Sequence, residues 1–261
     1  MSAITSRTNP KVKLARSLHE RKARQESGLF LVEGVFHIGA ALEASAGLQL
    51  ALYAPSLLRG EFAQGLPQRL QQVGVETLEA SAEIMASLSE KDNPQGILAV
   101  ARQQAVSLAS LPVDAAAVYL AAVAPQDPGN LGSLLRTLDA AGGTGLLLLD
   151  GGTDPWHPQA VRAGMGAHFT KPVVQASFAD LVVWAAAEGV LIYGSSAKAA
   201  QDFRQAAYQR PAALLLGSER EGLSPEQLAA CTQVVSLPMR GRVTSLNLSV
   251  AAGIWLYHVL R

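Results

Sequence analysis

The chain is poor in the residues that most often announce a chemistry. Of its 261 residues, only Cys231 is a cysteine. A lone thiol excludes an internal disulfide and a cysteine-cluster metal site. Cys231 reads as a small packed residue in a reducing compartment. The five histidines, His19, His37, His157, His168 and His258, are scattered, and none has ligand spacing with a second His, Cys or carboxylate. No metal is expected. No apolar run reaches about 18 residues, which argues against a membrane span. The first residues are polar and basic with no apolar core behind them. No secretory leader is read there, and a cytoplasmic location is expected. The P-loop, the G-x-S-x-G elbow and the G-x-G-x-x-G dinucleotide fingerprint are all missing. Asp150 is the candidate for a ribose-binding carboxylate, but without the fingerprint it carries little.

What is present suffices for a core. At 49% hydrophobic and 16% charged, the chain does not read as disordered. Its length suits one large domain or two ordinary ones. Formal charge sums to zero but is uneven. Residues 1–26 hold Arg7, Lys11, Lys13, Arg16, Arg21, Lys22 and Arg24 against Glu20 and Glu26. Such a segment can contact phosphates, or it is the solvated face of an amphipathic helix.

That helix opens near Pro10 and breaks at Ser27-Gly28. Strands follow at 29–34, 48–53, 75–78 and 96–100. Helices alternate with them at 35–44, 67–73 and 81–89, the last capped by Ser81. This is a small α/β domain. Charge drops out from Gln103 to Pro112, the best linker. A second βαβ series then opens. Its strands are expected near 117–123, 145–149, 168–173, 190–194, 212–216 and 233–237. Its helices are expected near 130–141, 158–164, 177–187, 224–229 and 245–260. The domains are therefore 1–103 and 114–261, joined by 104–113.

Three blocks in the second domain carry chemistry. Asp127-Pro128-Gly129-Asn130 to Arg136-Thr137 follows a strand and opens a helix. Asn130 suits a cap there, and Arg136 lies almost two turns on. Gly217-Ser218-Glu219-Arg220-Glu221-Gly222-Leu223-Ser224 leaves a buried strand. Ser224 before Pro225 caps the next helix by itself, so Glu219 is not needed there. Leu237-Pro238-Met239 then leads to Ser245-Leu246-Asn247. Ser245 can cap the final helix, which places Asn247 inside the first turn, where Asn bonds outward rather than favouring helix.

In this order the three blocks resemble the SpoU (TrmH) family of RNA 2'-O-ribose methyltransferases. The family pattern is N-x-G-x-x-x-R-T, then G-x-E-x-x-G-L-S, then I/L-P-M…S-L-N-x-S-x-A, and all of it is present from Asn130 to Ala251. Asn9-Pro10-Lys11-Val12-Lys13, Phe30-Leu31-Val32-Glu33-Gly34 and Pro94 to Val100 resemble the family's N-terminal RNA substrate-binding domain, typical of members acting on rRNA. The resemblance implies a SPOUT-type parallel sheet with a deep trefoil knot, a smaller ribosomal-protein-like α/β domain, S-adenosylmethionine as cofactor and a homodimer. It implies that Arg136 is central to the transfer, with the alternative that Arg136 anchors a phosphate. Asn130 and Glu219 would position Arg136 and the ribose, and Ser245 and Asn247 would complete the polar wall. Gly217, Leu237 and Leu246 would hold the adenosine part, with Met239 in the same pocket. Gly217 and Gly241 suit a ligand lying against bare backbone. Arg7, Lys11, Lys13 and Arg16 would contact RNA.

The expected activity is therefore methyl transfer to a ribose 2'-OH, in 23S rRNA. The alternatives are tRNA as substrate, or an RNA-binding protein of this fold without catalysis. A nucleotide-dependent oxidoreductase is disfavoured by the missing fingerprint.

Overall fold

The computed structural model describes residues 3–90 and 92–261. Contacts divide the chain into two units. One holds the chain up to Gln104 together with Trp156–Phe169; the other holds Ala105–Pro155 and Thr170–Arg261.

The first unit opens with α1 (Pro10–Ser17) and α2 (Arg21–Ser27), not with one continuous helix. Asn9 caps α1, and Pro10 fills its first position. The break between the helices is clasped by Arg24, only 1% exposed. Its guanidinium donates to the Leu18 and His19 carbonyls at 2.9 and 2.8 Å. A cation that reads as surface charge thus satisfies buried backbone acceptors. Four strands follow: β1 (Leu29–Glu33), β2 (Leu48–Tyr53), β3 (Glu76–Glu79) and β4 (Ile97–Arg102). They form a mixed sheet in the order β1-β4-β2-β3, with β4 antiparallel to both neighbours and β2 parallel to β3. Helices α3 (Val35–Glu43), α4 (Glu61–Gln72) and α5 (Ala82–Leu88) join them. Pro67, which reads as a helix start, sits in the middle of α4 instead.

The segment Trp156–Phe169 belongs to this unit although it comes from beyond the linker. The Phe30 ring lies 4.6 Å from Trp156 and 6.4 Å from Phe169. His37 Nε2 lies 3.0 Å from the Arg162 carbonyl oxygen. The strand expected at 168–173 is not there: Ala167–Phe169 is a 3-10 turn. Pro172 has no N–H to give a ladder; its carbonyl accepts from the Leu146 N–H at 3.0 Å, and β7 starts just after it.

The second unit contains β5 (Val118–Val123), α6 (Pro128–Ala141), β6 (Gly145–Leu149), β7 (Val173–Ala176), α8 (Phe178–Glu188), β8 (Leu191–Ser195), β9 (Ala212–Leu216), α9 (Pro225–Ala229), β10 (Gln233–Val235) and α10 (Leu248–Val259); α7 (Pro158–Ala163) is the helix of the Trp156–Phe169 segment. The six strands form a wholly parallel sheet in the order β10-β8-β9-β5-β6-β7. β5, β6 and β9 are buried at every residue. That is why they read as unbroken apolar runs without alternation. Strand order reverses between β5 and β9, and ligands bind beyond the strand carboxyl ends at such a reversal. Asp150 is not part of that region's chemistry: its Oδ1 accepts from the Phe178 N–H at 2.8 Å, where α8 begins. Among the described residues, no helix is long and apolar enough to cross a membrane.

Candidate active site

The site starts with a choice of helix cap. Asp127, not Asn130, caps α6, its Oδ1 accepting from the Asn130 N–H at 2.7 Å. The Asn130 side chain is thereby released for other work. Its Oδ1 accepts from Asn247 Nδ2 at 2.8 Å, and its Nδ2 donates to Glu219 Oε1 at 3.5 Å. Glu219 Oε2 also accepts from the Gln126 N–H at 3.4 Å. One amide therefore links the starts of two helices to a strand-end carboxylate. The two contacts to Glu219 are long, as catalytic hydrogen bonds without a bound substrate often are.

Asn247 takes the position read for Ser245. It caps α10, its Oδ1 accepting from Ser249 N and Oγ at 2.9 and 2.6 Å. Ser245 lies two residues outside the cap. The run S-L-N-L-S offers two cap candidates, and Ser249 supplies the second donor that favours Asn247. Asn247 is thus bifunctional: its oxygen holds the helix and its amide hydrogens reach Asn130.

Glu219 stands on a hooked loop. Ser218 and Gly222 exchange backbone hydrogen bonds at 3.2 and 3.0 Å, and Gly222 is left-handed at φ 71°. A Cβ at Gly217 would lie 2.1 Å from the Gly222 carbonyl carbon and 2.4 Å from Leu223 N. The hook's own backbone therefore demands glycine at 217, whatever a ligand requires there. A Cβ at Gly241 would meet no atom of the chain itself. Ser224 caps α9 in a reciprocal box with Gln227, and Glu219 plays no part in it.

These loops enclose a cavity of about 410 Å³. Gly217, Leu237, Met239 and Leu246 line it, as do the polar side chains of Asn130, Glu219, Ser245 and Asn247. Ser195, Ser196 and Ala197, at the end of β8, also line it. They were not singled out from the sequence, although Gly194-Ser195-Ser196 directly after a strand was the available signal. Gln126 was missed as well. Its side chain donates to the Ala124 carbonyl at 2.7 Å, and Ala124 is left-handed at φ 42°. This kink aims the Gln126 N–H at Glu219.

Arg136 is not brought into the cavity. It lies six residues beyond Asn130, about 9 Å further along the helix axis. It is exposed, and among the described residues it makes no hydrogen bond or ion pair.

In the first unit, the four basic residues read from the sequence differ in availability. Arg7 and Lys13 are exposed. Lys11 is held by Glu76 at 2.5 Å, and Arg16 Nη2 donates to Ser87 Oγ at 3.3 Å.

The model of the SpoU rRNA methylase family matches residues 117–257, and that of the MRM3-like substrate binding domain matches residues 9–99. The chain is 32% identical to the 23S rRNA (guanosine(2553)-2'-O)-methyltransferase RlmP of Bacillus subtilis (strain 168), over 99% of both chains. It is 31% identical to the 23S rRNA (uridine(2479)-2'-O)-methyltransferase of Streptomyces viridochromogenes, over 99% of this chain and 91% of that one. A crystal structure of an AdoMet-bound rRNA methyltransferase from Sinorhizobium meliloti superposes with a TM-score of 0.89 at 32% identity, covering 99% of this chain and 97% of that one.

Proposed function

The chain belongs to the SpoU rRNA methylase family, and from that premise we propose that it transfers a methyl group from S-adenosylmethionine to a ribose 2'-OH of 23S rRNA. The observation that carries this reading is the Asn247–Asn130–Glu219 chain, at 2.8 and 3.5 Å, in the wall of a cavity that has both apolar and polar lining. The cavity suits the cofactor. Its volume falls in the roughly 300–1,000 Å³ range of small-molecule sites. Leu216, Leu237, Met239 and Leu246 offer apolar surface, and Ser195, Ser196 and Thr244 offer hydroxyls.

The bound sulfonium would supply the methyl electrophile. The chain's task is then to place a ribose oxygen in line with it and to accept the hydroxyl hydrogen bond. Such positioning is worth up to about 7–11 kcal/mol in favourable intramolecular systems. Glu219 is the acceptor best placed for that hydroxyl. Asn130 cannot rotate freely, because one end accepts from Asn247 and the other donates to Glu219. Ser245 adds a hydroxyl to the same wall. Arg136 is assigned to an RNA phosphate and not to proton removal, because a guanidinium stays protonated. Arg7 and Lys13 are assigned to the RNA backbone, with Lys11 and Arg16 joining once their present partners yield.

Three finer features belong to the same reading. The chain works as a homodimer: Val250, Ile254 and Tyr257 are 48%, 43% and 58% exposed along α10. Their spacing makes one apolar stripe, which a second copy would cover. The C-terminal segment forms a deep trefoil knot, a reading supported by the return of residues 244–248 to the cavity that β9 also lines. The setting is cytoplasmic, in keeping with a single cysteine and an rRNA substrate. The match of residues 9–99 to a substrate-binding domain favours rRNA over tRNA. Its test is the transfer of labelled methyl from S-adenosylmethionine to rRNA by the purified chain.

A further inference from the structure

The loop between β10 and α10 carries more charge than its surroundings explain. Counted over its own residues, the second unit has nine lysines and arginines against eleven aspartates and glutamates. Residues 236–247 nevertheless contain Arg240 and Arg242 and no carboxylate. Both side chains are exposed, and among the described residues neither makes an ion pair or a hydrogen bond. Asp202 feels Arg240 only through its charge; it is held down to about 2 chiefly by its hydrogen bonds from Arg204. Three other cations of the unit are occupied. Lys171 faces Asp139, Arg204 pairs with Asp202, and Arg210 donates to the Val259 carbonyl. Arg220 stands between Glu219 and Glu221, which offset it.

The two arginines sit in a stretch flanked on both sides by the cavity wall. Met239 and Thr244 line the cavity, and Arg240 and Arg242 lie between them in the chain. Among the described residues, nothing makes a backbone–backbone hydrogen bond with residues 237–246. The loop can therefore adjust to a ligand without breaking a ladder.

We propose that Arg240 and Arg242 are phosphate-binding residues that hold the RNA backbone across the mouth of the cavity. This rests on the RNA methyltransferase reading and extends it. A flexible, carboxylate-free loop with two unpaired guanidiniums fits a polyanion, and guanidiniums take phosphate oxygens in bidentate geometry. An acidic protein partner is the competing occupant and is separated by the test.

The test uses the full chain and a 23S rRNA transcript. Each phosphate contact with single-stranded RNA steepens the dependence of log affinity on log salt by about 0.7. R240Q/R242Q should therefore flatten that slope by about 1.4. Between 50 and 200 mM salt, the parent should lose about sevenfold more affinity than the variant. Affinity for S-adenosylmethionine should not change, and R240K/R242K should restore the slope. K11Q/K13Q serves as the comparison in the first unit. Parallel slopes for parent and R240Q/R242Q would overturn the proposal, as would a loss of cofactor affinity in that variant. Methyl transfer by the parent is measured alongside. If the parent transfers nothing to RNA, the functional reading fails; if it transfers normally while the slopes stay parallel, only the arginine assignment fails.

Discussion

Asn247 allows stability and catalysis to be separated at a single position. Its Oδ1 caps α10 and its Nδ2 donates to Asn130. Aspartate is as good a cap as asparagine and also complements the helix dipole. N247D should therefore keep α10 intact. It removes the donor to Asn130 Oδ1, and it brings a second carboxylate to an amide that already serves Glu219. Losing one such hydrogen bond costs about 0.5–1.5 kcal/mol, or roughly 2- to 13-fold in kcat/KM. Competition between the new carboxylate and Glu219 for the single Asn130 NH2 should push the loss to the upper end. N247A loses the same donor and also the cap, a further 0.5–2 kcal/mol, roughly, of helix stability. The assay is transfer of labelled methyl to rRNA, paired with thermal unfolding of the same preparations. Both variants should lose activity, and only N247A should melt clearly below the parent. Parental activity in N247D would refute the role given to the Asn247–Asn130 bond. Equal melting losses in both variants would refute the cap.

Other outcomes follow from the same geometry. Gly217→Ala should abolish cofactor binding measured by calorimetry, because its Cβ would meet loop backbone within 2.5 Å, a clash of at least about 1–3 kcal/mol. Arg136→Ala should lose transfer yet retain S-adenosylmethionine affinity, since Arg136 lies outside the cavity; parental transfer rates would remove it from the mechanism. Burial pushes the Cys231 thiol up to about 11 and the Tyr119 and Tyr208 hydroxyls up to about 12. Their folded values exceed the ordinary ones of 9 and 10. The stability they contribute is therefore complete below about pH 9 and is lost as pH rises through 11 to 12. Denaturant midpoints measured from pH 8 to 12 should fall over that window. Native Cys231 should also alkylate slowly at pH 8, reacting fully once the chain is unfolded.

How much of this was legible in the sequence depended on whether one local rule was at work. The central strands β5, β6 and β9 were readable because burial on both faces leaves no polar residue to confuse the pattern. The end of the Trp156–Phe169 segment was not. His168-Phe169-Thr170 suits a strand by composition, but Pro172 has no N–H to donate, and Phe169 packs near Phe30 instead. Arg24 misled for a related reason. Its charge predicts a solvated face, whereas its guanidinium fills carbonyls left open by a helix break that periodicity does not reveal. In the site, residue types were readable and their pairings were not. Asn130 and Asn247 are 117 positions apart, and no spacing rule joins them; only the ordered family motifs placed them together. The two caps were misassigned because each motif offers neighbouring candidates, Asp127 beside Asn130 and Ser245 beside Asn247. Both times the residue with a donor two or three positions ahead won. Those two outcomes decide the chemistry. Capping by Asp127 frees Asn130, and capping by Asn247 fixes the amide that Asn130 meets.

The most direct measurement is to incubate the purified chain with S-adenosylmethionine and 23S rRNA and to map the modified nucleotide by mass spectrometry. The account requires one methyl group on a ribose 2'-oxygen, absent from reactions with Glu219→Gln. Methyl on a base, or transfer that survives Glu219→Gln at the parental rate, would contradict it.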